Sequence, residues 1–366
     1  MSLNLATLNL GDKFCFGKYA VADETPWPIV WKVVHKAEDY LACMPANIID
    51  LHEFDAKEPA SADTNRRSYG NNNYAVSNIF KWLNSDAPSG QWYDTANPPH
   101  TADAVNAAFA ARPGFLYYFT DGEKAALKSM ELTIAKNTVT DGGGSQKVTG
   151  KVHLPTRTQM GFGNENNIVE GDPFGAFKTD ADRIAHAHPN MIAKTTQTTK
   201  PASVTAAWWY WMATANTGLS YHARLVYSDG SHSAYYACVG YGGVRPVIYF
   251  PVSGIITEAF EFGLQPSKTI EGKSKIYDLS KPDVSFRTVL SGNFEGATSI
   301  QVFATNNAYD ASPKWEDVTQ AYLNNAPYSF NNATKTASSW GMQLRVVVTK
   351  TNAPAVCLKG CAFEIL

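Results

Sequence analysis

Residues 208–250 read WWYWMATANTGLSYHARLVYSDGSHSAYYACVGYGGVRPVIYF. Three Trp and a Tyr open this stretch. Gly242-Gly243-Val244-Arg245-Pro246 and an apolar run close it. Between these stiff ends lies a segment dense in Tyr, Ser, His and Gly. From Ala213 to Gly243 there is no Lys, Glu, Gln, Met or Trp. Those five are the types that an Asn codon randomised at its adenines cannot encode. Tyr supplies broad amphipathic contact with little conformational entropy to lose, while Ser and Asn adapt their hydrogen bonds, as in antibody paratopes. The candidate ligand-binding residues are therefore Tyr221, His222, Tyr227, Ser228, Ser231, His232, Tyr235, Tyr236 and Tyr241. The competing reading is a plain Tyr-rich hairpin turning at Ser228-Asp229-Gly230-Ser231, because Tyr favours strands. Trp208, Trp209, Tyr210 and Trp211 are adjacent, so in a strand they alternate between faces: at least one pair belongs to the core, the other could be exposed and bind ligand, and for any single Trp the core is the expected place. Residues 208–211 and 244–250 read as scaffold. Arg245, inside an apolar strand, is expected to be buried against carboxylate or carbonyl oxygens.

Upstream, residues 3–35 alternate apolar and polar and predict two or three strands. Thr64 to Tyr74, rich in Asn and Gly, predicts an ordered loop in which Asn takes left-handed backbone conformations. Ser77 is placed to cap a short helix that buries Ile79, Phe80, Trp82 and Leu83. Asp103 to Ala111 reads as helix and Phe115 to Phe119 as a short strand. Thr120 and Glu123 have capping-box spacing before a helix over 123–130, and Thr156 and Gln159 repeat that spacing. Residues 131–153 read as a hairpin with Asp141-Gly142-Gly143-Gly144 at its tip. Asn164 to Thr199 is a polar loop too long for a bare connector. Downstream, residues 263–267 read as a linker. Short alternating segments then follow at regular spacing, as in a small β-sandwich.

Composition bounds the function. The chain has 366 residues, a formal net charge of −2 and 17 % charged residues, below the usual quarter or so. That balance offers no case for nucleic acid or an anionic membrane. No apolar run approaches the ~20 residues that span a bilayer. Residues 1–14 lack the basic and apolar regions of a secretory signal. Cys15, Cys43, Cys238, Cys357 and Cys361 form no dense framework and read as buried thiols. Cys357 and Cys361 make at most half a zinc site. His186 and His188 sit one residue apart in a polar loop, and the expected reading is exposed loop histidines rather than metal ligands. No nucleophile elbow, phosphate loop, dinucleotide fingerprint or zinc-protease motif occurs. No catalytic residue, metal ligand or cofactor is therefore expected. Calcium is the ion the loops could hold, since Asp172, Asp180, Asp182 and the Asn residues of 164–167 offer oxygens, without EF-hand spacing.

Several motifs in order carry a resemblance. Gly11 to Tyr19 reads G-D-x-x-x-F-G-K-Y, followed by W-x-V at Trp31 to Val33. Asn73 to Asn84 reads N-Y-x-x-S-x-I-x-x-W-L-N. T-D-G-E follows at Thr120 to Glu123, L-P-T-x-x-Q-M-G at Leu154 to Gly161, and G-G-V-R-P-V at Gly242 to Val247 after Trp211. This order, over roughly residues 5–255, resembles the C-type-lectin-like domains of phage and bacterial surface proteins. They are akin to the variable proteins diversified by retroelements, including phage tropism determinants, and share the fold of formylglycine-generating enzymes. The resemblance implies that the variable surface lies among Tyr221 to Tyr241. The enzyme branch uses a Cys pair or copper site, and here Cys238 stands in that region without a partner. Ala304 to Ala308, Trp315 to Thr319, Tyr328 to Asn332 and Leu344 to Val348 resemble the immunoglobulin-like modules appended to phage virion proteins.

The expectation is an α+β protein. A C-type-lectin-like ligand-display domain at 1–262 is followed by an all-β immunoglobulin-like sandwich at 263–366. The expected function is non-enzymatic: a virion protein, assembled in the host cytoplasm, that adheres to a bacterial surface glycan or protein. Other virion proteins and further copies of the chain, as a homo-oligomer or trimer, are the remaining partners expected. Nucleic acid and membrane insertion are not. The alternatives are a purely structural capsid decoration and a formylglycine-generating type of enzyme.

Overall fold

A computed structural model describes residues 3–21, 25–93, 98–99, 108–252, 255–256, 260–262, 269–293, 297–350 and 357–365. The chain divides into two compact units. One holds Asn4–Gly11 and Gly17–Gly254, the other Met1–Leu3, Asp12–Phe16 and Ile255–Leu366. The smaller unit thus begins ahead of the 262/263 boundary expected from the sequence, because Phe260–Phe262 is a strand paired antiparallel with residues 13–15. The linker expected at 263–267 lies outside the described residues. Strands outnumber helices throughout, and every described helix is short, so the class is mixed and mostly β.

The larger unit rests on two sheets. In the first, Tyr40–Pro45 is buried at every residue and runs between Trp27–Lys36 and Val247–Pro251, with Val152–His153 beyond. A strand covered on both faces needs a continuous apolar run, and YLACMP supplies one. The second sheet has the order His232–Tyr236, His222–Val226, Tyr210–Ala215, Gly242–Val244, Asp50–His52. The chain steps directly from one sheet to a consecutive strand of the other at two points, after Pro45 and at Arg245-Pro246. Proline lacks the N–H that a ladder requires, so it suits a strand's end. Arg245 ties the two crossings together: its Nε donates to the Pro45 carbonyl at 2.9 Å, and its guanidinium lies over the Tyr210 ring. Of the two partner types expected for it, the carbonyl is the one present among the described residues.

The Gly pair of this crossing is explained by crowding. A Cβ on Gly242 would stand 2.0 Å from the Trp211 indole nitrogen, and one on Gly243 would stand 2.5 Å from the Trp209 carbonyl. Trp211 is fully buried, and its Nε1 donates to the His52 carbonyl at 2.8 Å. Burying a Trp of this kind contributes about 3–5 kcal/mol by the usual truncation cost.

Several local expectations are met. Ser77 caps Asn78–Leu83. Thr120 and Glu123 form a reciprocal capping box, although the helix runs Asp121–Ala126 rather than over 123–130. Met130–Ala135 pairs with Ser145–Gly150, with Gly142, Gly143 and Gly144 all left-handed at the tip. Thr156 and Gln159 exchange the box bonds, but close a turn and no regular helix. Others are corrected. Phe115–Tyr118 is a 3-10 turn, not a strand, and it buries the successive residues Phe115 and Leu116. The helix expected over 103–111 lies outside the described residues up to 107; 108–110 are helical. Thr64–Tyr69 is a helix capped by Asp63, and in the run that follows it is Gly70, not an Asn, that takes the left-handed backbone. The Asn residues bond instead. Buried Asn72 donates to the carbonyls of Asn216, Leu219 and His222, which fixes the chain entering the hairpin.

The smaller unit is built of antiparallel strands. Trp340–Lys350 pairs with Thr269–Lys273, Tyr277–Leu279 and Ala297–Thr305, while Ser285–Asn293 pairs with Tyr328–Ser329 and Cys357–Ile365. Phe286 from the second set and Val302, Leu344, Val346 and Val348 from the first share one core, with Trp340 against it.

Candidate ligand-binding cleft

The hairpin His222–Val226 to His232–Tyr236 stands at the edge of the five-stranded sheet. Its turn is held locally: Tyr227 N–H donates to the Ser231 carbonyl at 2.6 Å, and Asp229 Oδ1 accepts from the Ser231 N–H and hydroxyl at 2.9 and 2.6 Å. Those two bonds hold the Asp229 carboxyl below its ordinary range. Gly230 has φ +88°, and a Cβ there would lie 1.9 Å from the Asp180 carbonyl. The tip is therefore seated on the segment Asp180–Arg183, where only glycine fits.

Strand alternation sorts the side chains by face. The register pairs His222 with Tyr236, Arg224 with Ala234 and Val226 with His232 on one face, and Ala223 with Tyr235 and Leu225 with Ser233 on the other. On the first face Arg224 Nε and Nη2 donate to buried Glu165 at 3.0 and 2.7 Å, and Arg157 Nη1 reaches the same carboxylate at 3.0 Å. Burial alone would raise the Glu165 pKa; Arg224 outweighs it, with help from Thr217 and Arg157, and the carboxyl titrates below its ordinary value. His232 sits beside Arg157 and Phe162. Tyr236 stacks on Tyr69 at 4.4 Å, with Tyr221 at 5.3 Å from Tyr69 and His222 at 4.8 Å from Tyr236. Burial holds both histidines, His222 and His232, below their ordinary pKa.

The second face is open. Trp208, Trp209, Leu225, Tyr227, Ser228, Ser233, Tyr235 and Tyr241, with Ala207, line a cleft of about 330 Å³. Trp209 forms its wall: its ring lies 4.8 Å from Trp211, 5.9 Å from Tyr241 and 6.1 Å from Tyr235. Trp208 Nε1 donates to the Tyr241 carbonyl at 3.0 Å, which anchors the far rim. The Tyr235 phenol hydrogen-bonds to Tyr241 and, together with partial burial, pushes the Tyr241 pKa up to about 12. The Tyr241 phenol is thus neutral at ordinary pH, and no charged side chain stands in the lining.

The nine residues singled out in the sequence do not form one surface. Tyr227, Ser228, Tyr235 and Tyr241 meet in the cleft. Tyr221, His222 and Tyr236 join Tyr69 on the opposite face, His232 lies with Arg157, and Ser231 belongs to the turn. Period-two alternation alone separates Tyr235 from Tyr236. Trp208 and Trp209, read as scaffold, line the cleft, and so does Ser233. Of the four adjacent aromatics, Tyr210 and Trp211 are fully buried, Trp209 is buried beside the cleft and Trp208 is half-buried.

The other candidates are dispersed. Asp172 accepts from Tyr40 OH, Asp180 pairs with Arg183, and Asp182 accepts from the N–H of Thr179, the N-cap of its helix. Among the described residues no three His, Cys, Asp or Glu side chains converge. His188, expected in an exposed loop, is buried: it stacks on Trp27 at 3.8 Å, caps Pro189–Lys194, and is pushed down to about 4 by burial. Cys15 and Cys43 are buried thiols, while Cys238 is half-buried near the Ser68 carbonyl. The side chains of Cys357 and Cys361 lie outside the described part of the structure. Among the described residues no helix is long and apolar enough to cross a membrane.

No curated protein and no solved structure matches the chain. One family profile does, over residues 45–252, from the first sheet crossing to just past the strand that follows the second, with every cleft residue inside it. That span is more than half of the chain, and the chain belongs to the family described as a domain of unknown function, DUF6273.

Proposed function

We propose that this chain is a phage virion protein that adheres non-covalently to a ligand on the bacterial surface, as a receptor-binding, fibre or head-attached decoration protein. In this reading the larger unit is a C-type-lectin-like domain displaying the cleft, and the smaller is an immunoglobulin-like sandwich. The observation that carries the reading is the cleft itself: an open aromatic and hydroxyl-lined space on an edge hairpin whose other face is locked to the scaffold. Recognition needs a rigid mount, and sites built on strands hold their geometry better than sites on loops. Further support comes from the ordered motifs between Gly11 and Val247 and from the missing residue types of 213–243. Display on a homo-oligomer, with a trimer as the simplest case, would convert weak single-site binding into avidity.

The test is adsorption of the full chain to host cells. Tyr227→Ala and Tyr235→Ala should cut cell binding at least tenfold while leaving thermal unfolding in place. A second reading, structural decoration, is favoured by the exposed Tyr69 beside Tyr221 and Tyr236, which suits packing against a neighbouring subunit. If the cleft variants adsorb normally, and Tyr69→Ala and Tyr236→Ala release the protein from virions, that second reading replaces the first.

A further inference from the structure

We propose that the cleft takes a neutral, polyhydroxylated ligand, a saccharide of pyranose rings, and takes it without a metal ion. The proposal rests on the adhesion reading for its setting, and on separate observations for its chemistry. Within the lining, the hydroxyls of Tyr227, Ser228 and Ser233 and the indole N–H of Trp209 meet no hydrogen-bond partner among the described residues. By contrast, the Trp208 N–H and the Tyr235 and Tyr241 phenols are already engaged. Four open polar groups in one small cleft are served by water until a ligand arrives. A purely apolar ligand would displace that water and return nothing, which loses affinity. The ligand must bring donors and acceptors of its own.

The walls set the second condition. Trp208, Trp209, Tyr227, Tyr235 and Tyr241 present ring surface, so the ligand must also carry an apolar face. A pyranose has a face of C–H groups and a rim of hydroxyls, and meets both conditions at once. The third condition is charge. No Lys, Arg, Asp or Glu lines the cleft, and on the opposite hairpin face Arg157 and Arg224 are committed to Glu165. An acidic sugar would be stripped of water with no counter-charge. The lining also lacks the carboxylate and amide oxygens that chelate calcium.

The experiment uses the full chain on an array of neutral and acidic oligosaccharides in excess EDTA, followed by titration calorimetry with the neutral oligosaccharide bound best. Neutral saccharides should bind in EDTA, and Tyr235→Ala and Ser233→Val should weaken them tenfold or more. Tyr69→Ala, on the other hairpin face, should bind as the parent does. Binding of acidic saccharides alone, or binding abolished by EDTA, overturns the proposal. So does the absence of any saccharide binding. Host cells separate it from the adhesion reading. If cells capture the protein and protease but not periodate treatment releases it, the saccharide proposal falls and adhesion stands. If neutral saccharides bind and cells do not, the saccharide proposal stands and adhesion falls.

Discussion

On one face of the edge hairpin, Arg224 is clamped to a buried carboxylate and Tyr236 is stacked between neighbours; on the other, Leu225 and Ser233 look into an open cleft. The residues of the two faces alternate along the same ten positions of two strands, so nothing in local composition tells them apart. What differs is what the rest of the chain brings to each. The segment 157–183 delivers Glu165 and the Asp180 carbonyl to the first face and the tip. Among the described residues Ala207, Trp208, Trp209 and Tyr241 line the second, and they stop short of filling it. Rigidity on one side is thus what leaves the other free to stay open.

The contrast can be broken from the clamped side first. Glu165→Ala leaves Arg224 and Arg157 partly buried without a counter-charge, and should destabilise the chain by about 3–5 kcal/mol in urea unfolding. Gly230→Ala combines a left-handed backbone with a contact to Asp180, and should cost about 1–3 kcal/mol in the same assay. Tyr69→Ala removes one ring of the stack, with about 0.5–1.5 kcal/mol expected beyond the area lost. On the open face, Tyr235→Ala should change stability by less than about 0.5 kcal/mol, with its effect confined to ligand binding. Equal losses on both faces would mean that the cleft, too, is structural.

Acidity probes the clamped side differently. Glu165 titrates below its ordinary value in the folded chain, so its contribution is present above the ordinary glutamate range and is lost as pH falls through the folded value. Glu170, buried beside Thr214, runs the other way. Burial is the main cause, and its pKa is pushed from 4.5 up to about 7. Its carboxyl is therefore tolerated best below 4.5, and it costs stability progressively as pH rises from 4.5 to about 7. Replacing it by Glu170→Gln should remove that part of the decline. Chemical unfolding of both proteins at intervals from pH 4.5 to 8 reads the difference, and parallel curves would refute it.

Much of the fold was legible because its signals are local. Ser77, the Thr120–Glu123 box and the Gly142–Gly144 tip each act over a few residues, and each stands where its spacing put it. The hairpin turn at 228–231 belongs with them. What escaped is long-range. Asn72 looks like a loop residue until its amide is seen on carbonyls near residue 220. His188 looks exposed until Trp27 covers it. Phe115–Phe119 has strand composition but folds as a 3-10 turn over Phe115–Tyr118. The cleft was half legible: tyrosine content pointed to the hairpin, while the assignment of each Tyr to a face depended on a register no composition reveals. Trp208 and Trp209 were hidden by the general preference of Trp for cores.

The pairing of Tyr210 with Gly243 has a last consequence. These two residues are Cα partners on adjacent parallel strands, so the chain that runs on from Tyr210 and through the edge hairpin returns to nearly its starting point. Residues 216–241 are thus a closed excursion, topologically an insertion between two neighbouring strands. Because loop closure costs only about 0.6 kcal/mol per doubling of length, such an excursion can be lengthened, shortened or exchanged whole. The framework would register the change along the ladder to Tyr210–Ala215, at the stack of Tyr236 on Tyr69, and at Gly230 on Asp180, Arg224 on Glu165 and the carbonyls grasped by Asn72. A graft that keeps those footholds inherits the mount and is free to rewrite the cleft.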